Sequence, residues 1–212
     1  MMKFPRLQTF SFCSFFCGLF VWLNPSVEAR IGESRDSLER RLLNAGGIVY
    51  RDDVVESNRR RNMPYMKFLE FMPDSTDLRI YYKTIDGRKP KSSDMEEQRV
   101  HPGWDIHVLY VRGVSMLEVY KRSQPMTDPE MKLLLATLAQ GSYWKKVDKT
   151  ATEEAEGDSA FGFDMERHDG KVRGKKIGQT TVMIFDSALD IRLAEMRVED
   201  DQERAPASVN GF

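Results

Sequence analysis

Cysteine is nearly missing from this 212-residue chain: Cys13 and Cys17 are the pair of them. Both fall within the first 29 residues, so the remainder has no thiol for a disulfide, a redox couple, a thiolate nucleophile or a Cys-rich metal site. Histidine is scarce as well, with His101, His107 and His168. None stands in a His-x-x-x-His or His-Glu-x-x-His spacing that would place two imidazoles on one helix face around zinc, and no metal site is expected. Neither sign of charge dominates, since 32 Lys and Arg face 33 Asp and Glu. A nucleic-acid binder needs a cationic excess to displace counterions from phosphates, so nucleic acid is not an expected partner.

One long apolar run is present, Phe10 to Leu23, interrupted by Ser11, Ser14 and Gly18 and preceded by Lys3 and Arg6. It is short for a membrane span, ends in a turn at Asn24-Pro25-Ser26, and is followed by Val27-Glu28-Ala29, a small-x-small cleavage pattern. Residues 1–29 therefore read as an export signal with the mature start at Arg30; an uncleaved anchor is the alternative. Loss of Lys3, Arg6 and Glu28 leaves 30 basic and 32 acidic residues. The expected location is the periplasm or the cell exterior, with membrane contact only through the leader.

Past the leader, Ser34 can cap a helix whose Leu38, Leu42 and Ala45 recur every four or three residues until Gly46-Gly47 stops them. Strands are expected at Ile48 to Tyr50, Val54-Val55, Tyr65 to Phe71 and Asp77 to Ile85, with Arg59-Arg60-Arg61 in a loop. Trp104, Ile106 and Val108 alternate in a further strand, and Arg112-Gly113 turns it into Val114 to Lys121. Thr127-Asp128-Pro129-Glu130 is a capping box with proline in the first turn, opening a helix to Gln140 whose Met131, Leu134, Leu135 and Leu138 should carry much of the core. Phe161 to Arg167, Val172 to Ile177 and Thr180 to Phe185 read as strands, with Asp169-Gly170 as a hairpin turn. Asp186-Ser187 caps a last helix through Leu189, Leu193 and Met196.

Helices interspersed with hairpins, not strictly alternating strand and helix, make an α+β class: an antiparallel sheet of hairpins with two to three amphipathic helices packed on one face. The expected organisation is a single domain over 30–198, divisible into two helix-plus-hairpin units at 30–121 and 122–198, then a disordered tail at 199–212. Asp86-Gly87 and Asp169-Gly170 occupy similar turns in the two units.

Arg30-Ile31-Gly32-Glu33-Ser34, Leu133-Leu134, Gly141-Ser142, Trp144 and Arg167-His168-Asp169-Gly170-Lys171 together resemble a set of small exported α+β proteins of Verrucomicrobia-type bacteria. The resemblance implies export and a small α+β domain. It brings no activity, cofactor or catalytic residue.

Catalytic chemistry has one candidate. Asp105 and His107 project from the same side of a predicted strand, and a carboxylate that orients an imidazole can serve a hydrolase or lyase. Gly113-Val114-Ser115-Met116-Leu117 lacks the second glycine of a nucleophile elbow, and Glu96-Glu97 and Glu153-Glu154 sit in polar loops where hydration is expected. Lys171, Arg173, Lys175 and Lys176, punctuated by Gly170, Gly174 and Gly178, form a basic hairpin able to meet phosphate or an anionic envelope polymer. Their spacing matches neither a dinucleotide fingerprint nor a P-loop, so no cofactor is expected. Trp104 and Trp144 read as core anchors, and adjacent Tyr81 and Tyr82 point to opposite sheet faces, which leaves at least one outward. With no assembled site in the sequence, the leading expectation is a non-catalytic exported protein working by surface or protein–protein contact, with another envelope protein as partner.

Overall fold

A computed structural model describes residues 30–50, 53–91, 102–147 and 159–206. The leader with its two cysteines, His101, Glu96-Glu97, Glu153-Glu154 and residues 207–212 lie outside the described residues.

In chain order the elements are α1 (Arg35–Asn44), β1 (Ile48–Val49), α2 (Asp53–Arg60), a 3₁₀ segment (Pro64–Phe71), β2 (Thr76–Thr84), β3 (Gly103–Val111), β4 (Val114–Arg122), α3 (Asp128–Leu138), β5 (Trp144–Lys146), β6 (Met165–Arg167), β7 (Val172–Ile177), β8 (Thr181–Asp186) and α4 (Ser187–Arg204). The class is α+β with an eight-stranded antiparallel sheet, in the order β1-β2-β3-β4-β8-β7-β6-β5. Read from either edge, the order is a four-strand meander whose last strand meets its counterpart at the centre. The junction pairs Leu117 with Phe185 and Lys121 with Thr181. The turns after β2 and β6, carrying Asp86-Gly87 and Asp169-Gly170, occupy equivalent places in the two meanders.

Local chemistry explains the element boundaries. Ser34 caps α1 by accepting from the Ser37 N–H, and Asp186 caps α4 by accepting from that of Leu189. Thr127 and Glu130 satisfy each other's backbone N–H groups at the start of α3. The β3–β4 hairpin turns on Arg112 and Gly113 at φ values of 53° and 77°, the left-handed pair that matches strand twist in a two-residue loop.

Both faces of the sheet are covered, because period-two alternation sends large side chains each way. Toward α1 and α3 lie Tyr81, Ile106, Val108, Tyr110, Tyr120, Val182 and Ile184, packed with Leu38, Leu42 and Leu138. Toward the 3₁₀ segment and α4 lie Leu109, Leu117, Val119, Met183 and Phe185, packed with Tyr65, Phe68, Leu189 and Leu193. The helices thus divide between the faces, where one face was expected to take them all. For the same reason Tyr81 and Tyr82 do point oppositely, yet both are buried.

Three apolar runs depart from the strands expected of them. Val54-Val55 lies in α2, as do Arg59 and Arg60, which were expected in a loop. Tyr65 to Phe71 is 3₁₀: Pro64 sits at its N-terminus, and Tyr65 and Phe68, three apart on one side, are its buried residues. Phe161 to Asp164 stays irregular before β6, since Gly162 takes a φ of 64° and the Phe161 N–H donates to the Asp190 carboxylate. Helix α4 continues to Arg204, beyond the start of the expected tail. Helix α3 is less buried than its spacing suggested: Leu138 is fully buried, Leu134 and Leu135 half-buried, and Leu133 exposed.

Candidate functional site

Asp105 and His107 share the α2 side of the sheet, as their spacing required, but they do not engage each other. The Asp105 carboxylate accepts from the Arg59 guanidinium, which lies 4.2 Å over the Tyr50 ring, and Asp105 pairs across the strands with Lys121. Burial holds this carboxyl above the usual aspartate range despite the cations. His107 is fully buried, with Nδ1 2.7 Å from the Tyr65 hydroxyl and Nε2 without a partner. Proton inventory assigns the tautomer: a Tyr65 O–H donating to Nδ1 leaves only the Nε2–H unpaired, whereas the opposite tautomer strands two groups. Desolvation lowers the imidazole to about 3, so the ring is neutral. Each member of the pair is thus bonded to a different covering element. This geometry holds α2 and the 3₁₀ segment on the sheet; a hydrolytic dyad would need the two groups turned to each other and to a substrate.

The basic hairpin does not form one cationic surface. Arg173 turns to the α4 face, where it bonds Asp190 at 2.8 Å and lies 4.2 Å over the Phe163 ring. Asp190 is fully buried and accepts also from Ser159 and the Phe161 N–H. Lys175 donates to the Phe161 carbonyl at 2.6 Å on that face, while alternation sends exposed Lys176 to the other. His168 stacks on exposed Tyr143 with ring centroids 4.5 Å apart. Among the described residues no three His, Cys, Asp or Glu side chains come together as metal ligands, and no helix is long and apolar enough to cross a membrane.

The candidate site lies on the opposite face, in a cleft of about 440 Å³ between α1 and α3. Its floor is Trp104, Ile106 and Tyr120; Leu42 lines it from α1 and Leu133, Leu134 and Thr137 from α3, with Lys83 to Gly87 and Arg30 and Arg41 completing it. That volume is in the range of about 300–1,000 Å³ common for ligand sites. Leu133 is 70% exposed and Ile85 45%, so large apolar side chains stand in water at the cleft. Its two acids are engaged, Asp86 with Arg88 at 3.2 Å and Glu130 with Arg122 at 3.0 Å, and Arg41 pairs with Glu33 at 2.7 Å. The Arg30 and Lys83 side chains have no ion-pair partner among the described residues. The cleft is therefore apolar with a surplus of positive charge.

Beneath its floor runs a buried hydrogen-bonded chain. Tyr120 donates to Glu118, which is fully buried, and Ser115 Oγ lies 2.9 Å from the other Glu118 oxygen while also contacting the Arg30 carbonyl. A serine hydroxyl has one proton and cannot donate to both acceptors. The contacts are satisfied together when Glu118 is itself protonated: Tyr120 donates to Glu118, Glu118 to Ser115, and Ser115 to Arg30. Burial acts in the same direction, raising the Glu118 carboxyl. A β-bulge makes the chain possible. Leu109 pairs with Leu117 but Tyr110 with Ser115, so Met116 is the extra residue, and Ser115 reaches the face of Glu118 although three positions away. The chain anchors the segment before α1, whose Gly32 N–H also donates to Ser115 and whose Glu33 carbonyl accepts from it.

Sequence reasoning placed none of Arg30, Arg41, Lys83, Glu118 or Tyr120 in a site. A lone glutamate inside the apolar run Leu117-Glu118-Val119-Tyr120 was the available signal. No protein-family model matches the chain, no curated protein matches it, and no solved structure matches it.

Proposed function

We propose that the chain is an exported, non-catalytic protein of the cell envelope that works by protein–protein contact, receiving an acidic and apolar segment of another envelope protein in the cleft between α1 and α3. Export rests on the leader pattern of residues 1–29. One observation carries the contact: exposed Leu133 and Ile85 meet unpaired Arg30 and Lys83 in a single cleft. Apolar side chains standing in water mark a surface that gains by being covered, and unpaired cations at its border select carboxylates. The hydrolase or lyase reading has less support, because Asp105 and His107 each hold a structural partner and neither lines this cleft.

The test is photo-crosslinking from a reactive residue at Leu133 in the full chain, expressed with its leader. The expected result is a discrete adduct whose mapped segment carries Asp or Glu beside apolar residues, and which is lost in Lys83→Glu. Adducts that persist unchanged in Lys83→Glu would overturn the reading. So would hydrolysis of any ester, phosphate or glycan substrate that disappears in His107→Gln.

A further inference from the structure

A second cleft, of about 590 Å³, lies on the α4 side of the sheet, opposite the first. Three cations from three different elements line it: Lys67 of the 3₁₀ segment, Lys175 of β7 and Arg197 of α4. No Asp or Glu is among its lining residues. Lys175 is already oriented, because its ammonium donates to the Phe161 carbonyl at 2.6 Å, which leaves further N–H groups to give. Lys67 has no ion-pair partner among the described residues. Arg197 has Asp201 one turn along its own helix at 3.7 Å, with both side chains mostly in water, a pairing too weak to occupy it. Beside the cations stand Met63, Met66, Phe68 and Phe161. Methionines repack readily around flexible chains, so the cleft offers an adaptable apolar wall next to a concentrated positive field.

We propose that this second cleft binds the phosphodiester headgroup of an anionic lipid, with Lys67, Lys175 and Arg197 on the phosphate and Met63 and Met66 against the first carbons of the acyl chains. The basic hairpin contributes only Lys175 to it. Lys171 and Lys176 do not line the cleft.

Titration with monomeric dihexanoylphosphatidylglycerol, followed by the methionine methyl resonances, tests this on the mature chain. Met63 and Met66 should shift with that lipid and not with dihexanoylphosphatidylcholine, whose headgroup is neutral overall. Lys67→Gln/Arg197→Gln should weaken binding about thirtyfold. Both side chains are exposed, so the fold tolerates the change, which circular dichroism would verify. Lys171→Gln/Lys176→Gln should leave binding as it is. Absent methyl shifts, equal binding of the choline lipid, or an equal loss in the hairpin variant would each overturn the proposal. Inorganic phosphate binding as tightly as the lipid would overturn the lipid as its source.

Discussion

Replacing His107 by Gln isolates one term in the acid stability of the fold. The imidazole titrates near 6.5 in an unfolded chain and is lowered to about 3 where it is buried against Tyr65. Between those values the unfolded chain binds a proton that the folded chain refuses, so stability must fall as the solution is acidified from about pH 6.5 toward 3. At pH 5 the folded ring is still neutral and the unfolded ring almost wholly charged, which gives a loss of about 2 kcal/mol relative to pH 7.5. Below pH 3 the loss approaches about 5 kcal/mol. The raised carboxyls of Asp105 and Glu118 act with the opposite sign, but they are present in both proteins and largely cancel in the comparison. Urea unfolding of wild type and His107→Gln at pH 7.5 and 5.0 reads the difference. Wild type should lose about 2 kcal/mol more than the variant on acidification. Equal losses would refute a neutral buried imidazole and would reopen His107 as a titrating, solvent-reachable group.

Glu118→Gln should preserve the buried chain, its amide donating to Ser115 while its carbonyl accepts from Tyr120, and stability by urea unfolding should be retained at neutral pH. Because the wild-type carboxyl is raised by folding, wild-type stability should decline as pH climbs above about 4.5 toward the folded value, and the Gln variant should lack that decline. Glu118→Ala, which strands the Tyr120 hydroxyl, should instead cost about 1–3 kcal/mol. Asp190→Ala removes the shared acceptor of Arg173, Ser159 and the Phe161 N–H, and should destabilise by about 3–5 kcal/mol in the same assay. Thr127→Ala breaks the capping box and should cost about 1 kcal/mol, with the change in hydrogen exchange confined to the first turn of α3.

Elements governed by neighbouring residues were legible in the sequence. Ser34, Thr127 and Asp186 announced three helix starts through their own caps, Arg112-Gly113 announced its hairpin, and Val172 to Ile177 is the strand expected after the Asp169-Gly170 turn. The misread runs were those whose environment decides. Tyr65 to Phe71 is apolar enough for a strand, and only its docking of Tyr65 against His107 and Phe68 against Phe161 favours a three-residue period. Covering of the second face by segments so misread also hid why both Tyr81 and Tyr82 are buried. The shared side of Asp105 and His107 followed from strand geometry alone, but their partners Arg59 and Tyr65 came from the segments read differently. The cleft was out of reach because it unites five separate stretches of chain: Arg30 with α1, Lys83 to Gly87, β3, β4 and α3. Glu118, the buried acid beneath its floor, meets Ser115 only through a bulge that no local pattern announces.

The absence of cysteine after residue 29 makes the central claim directly measurable. A single cysteine introduced as Leu133→Cys at the cleft, or as Lys171→Cys on the exposed hairpin, is the sole thiol of a chain that begins at Arg30. Labelling rates with a polar maleimide can then be compared between the purified protein and intact envelopes. The cleft account predicts that the Leu133 thiol reacts freely in the purified protein and is protected in envelopes, while the Lys171 thiol reacts alike in both. A Leu133 thiol that reacts equally fast in both settings would contradict it.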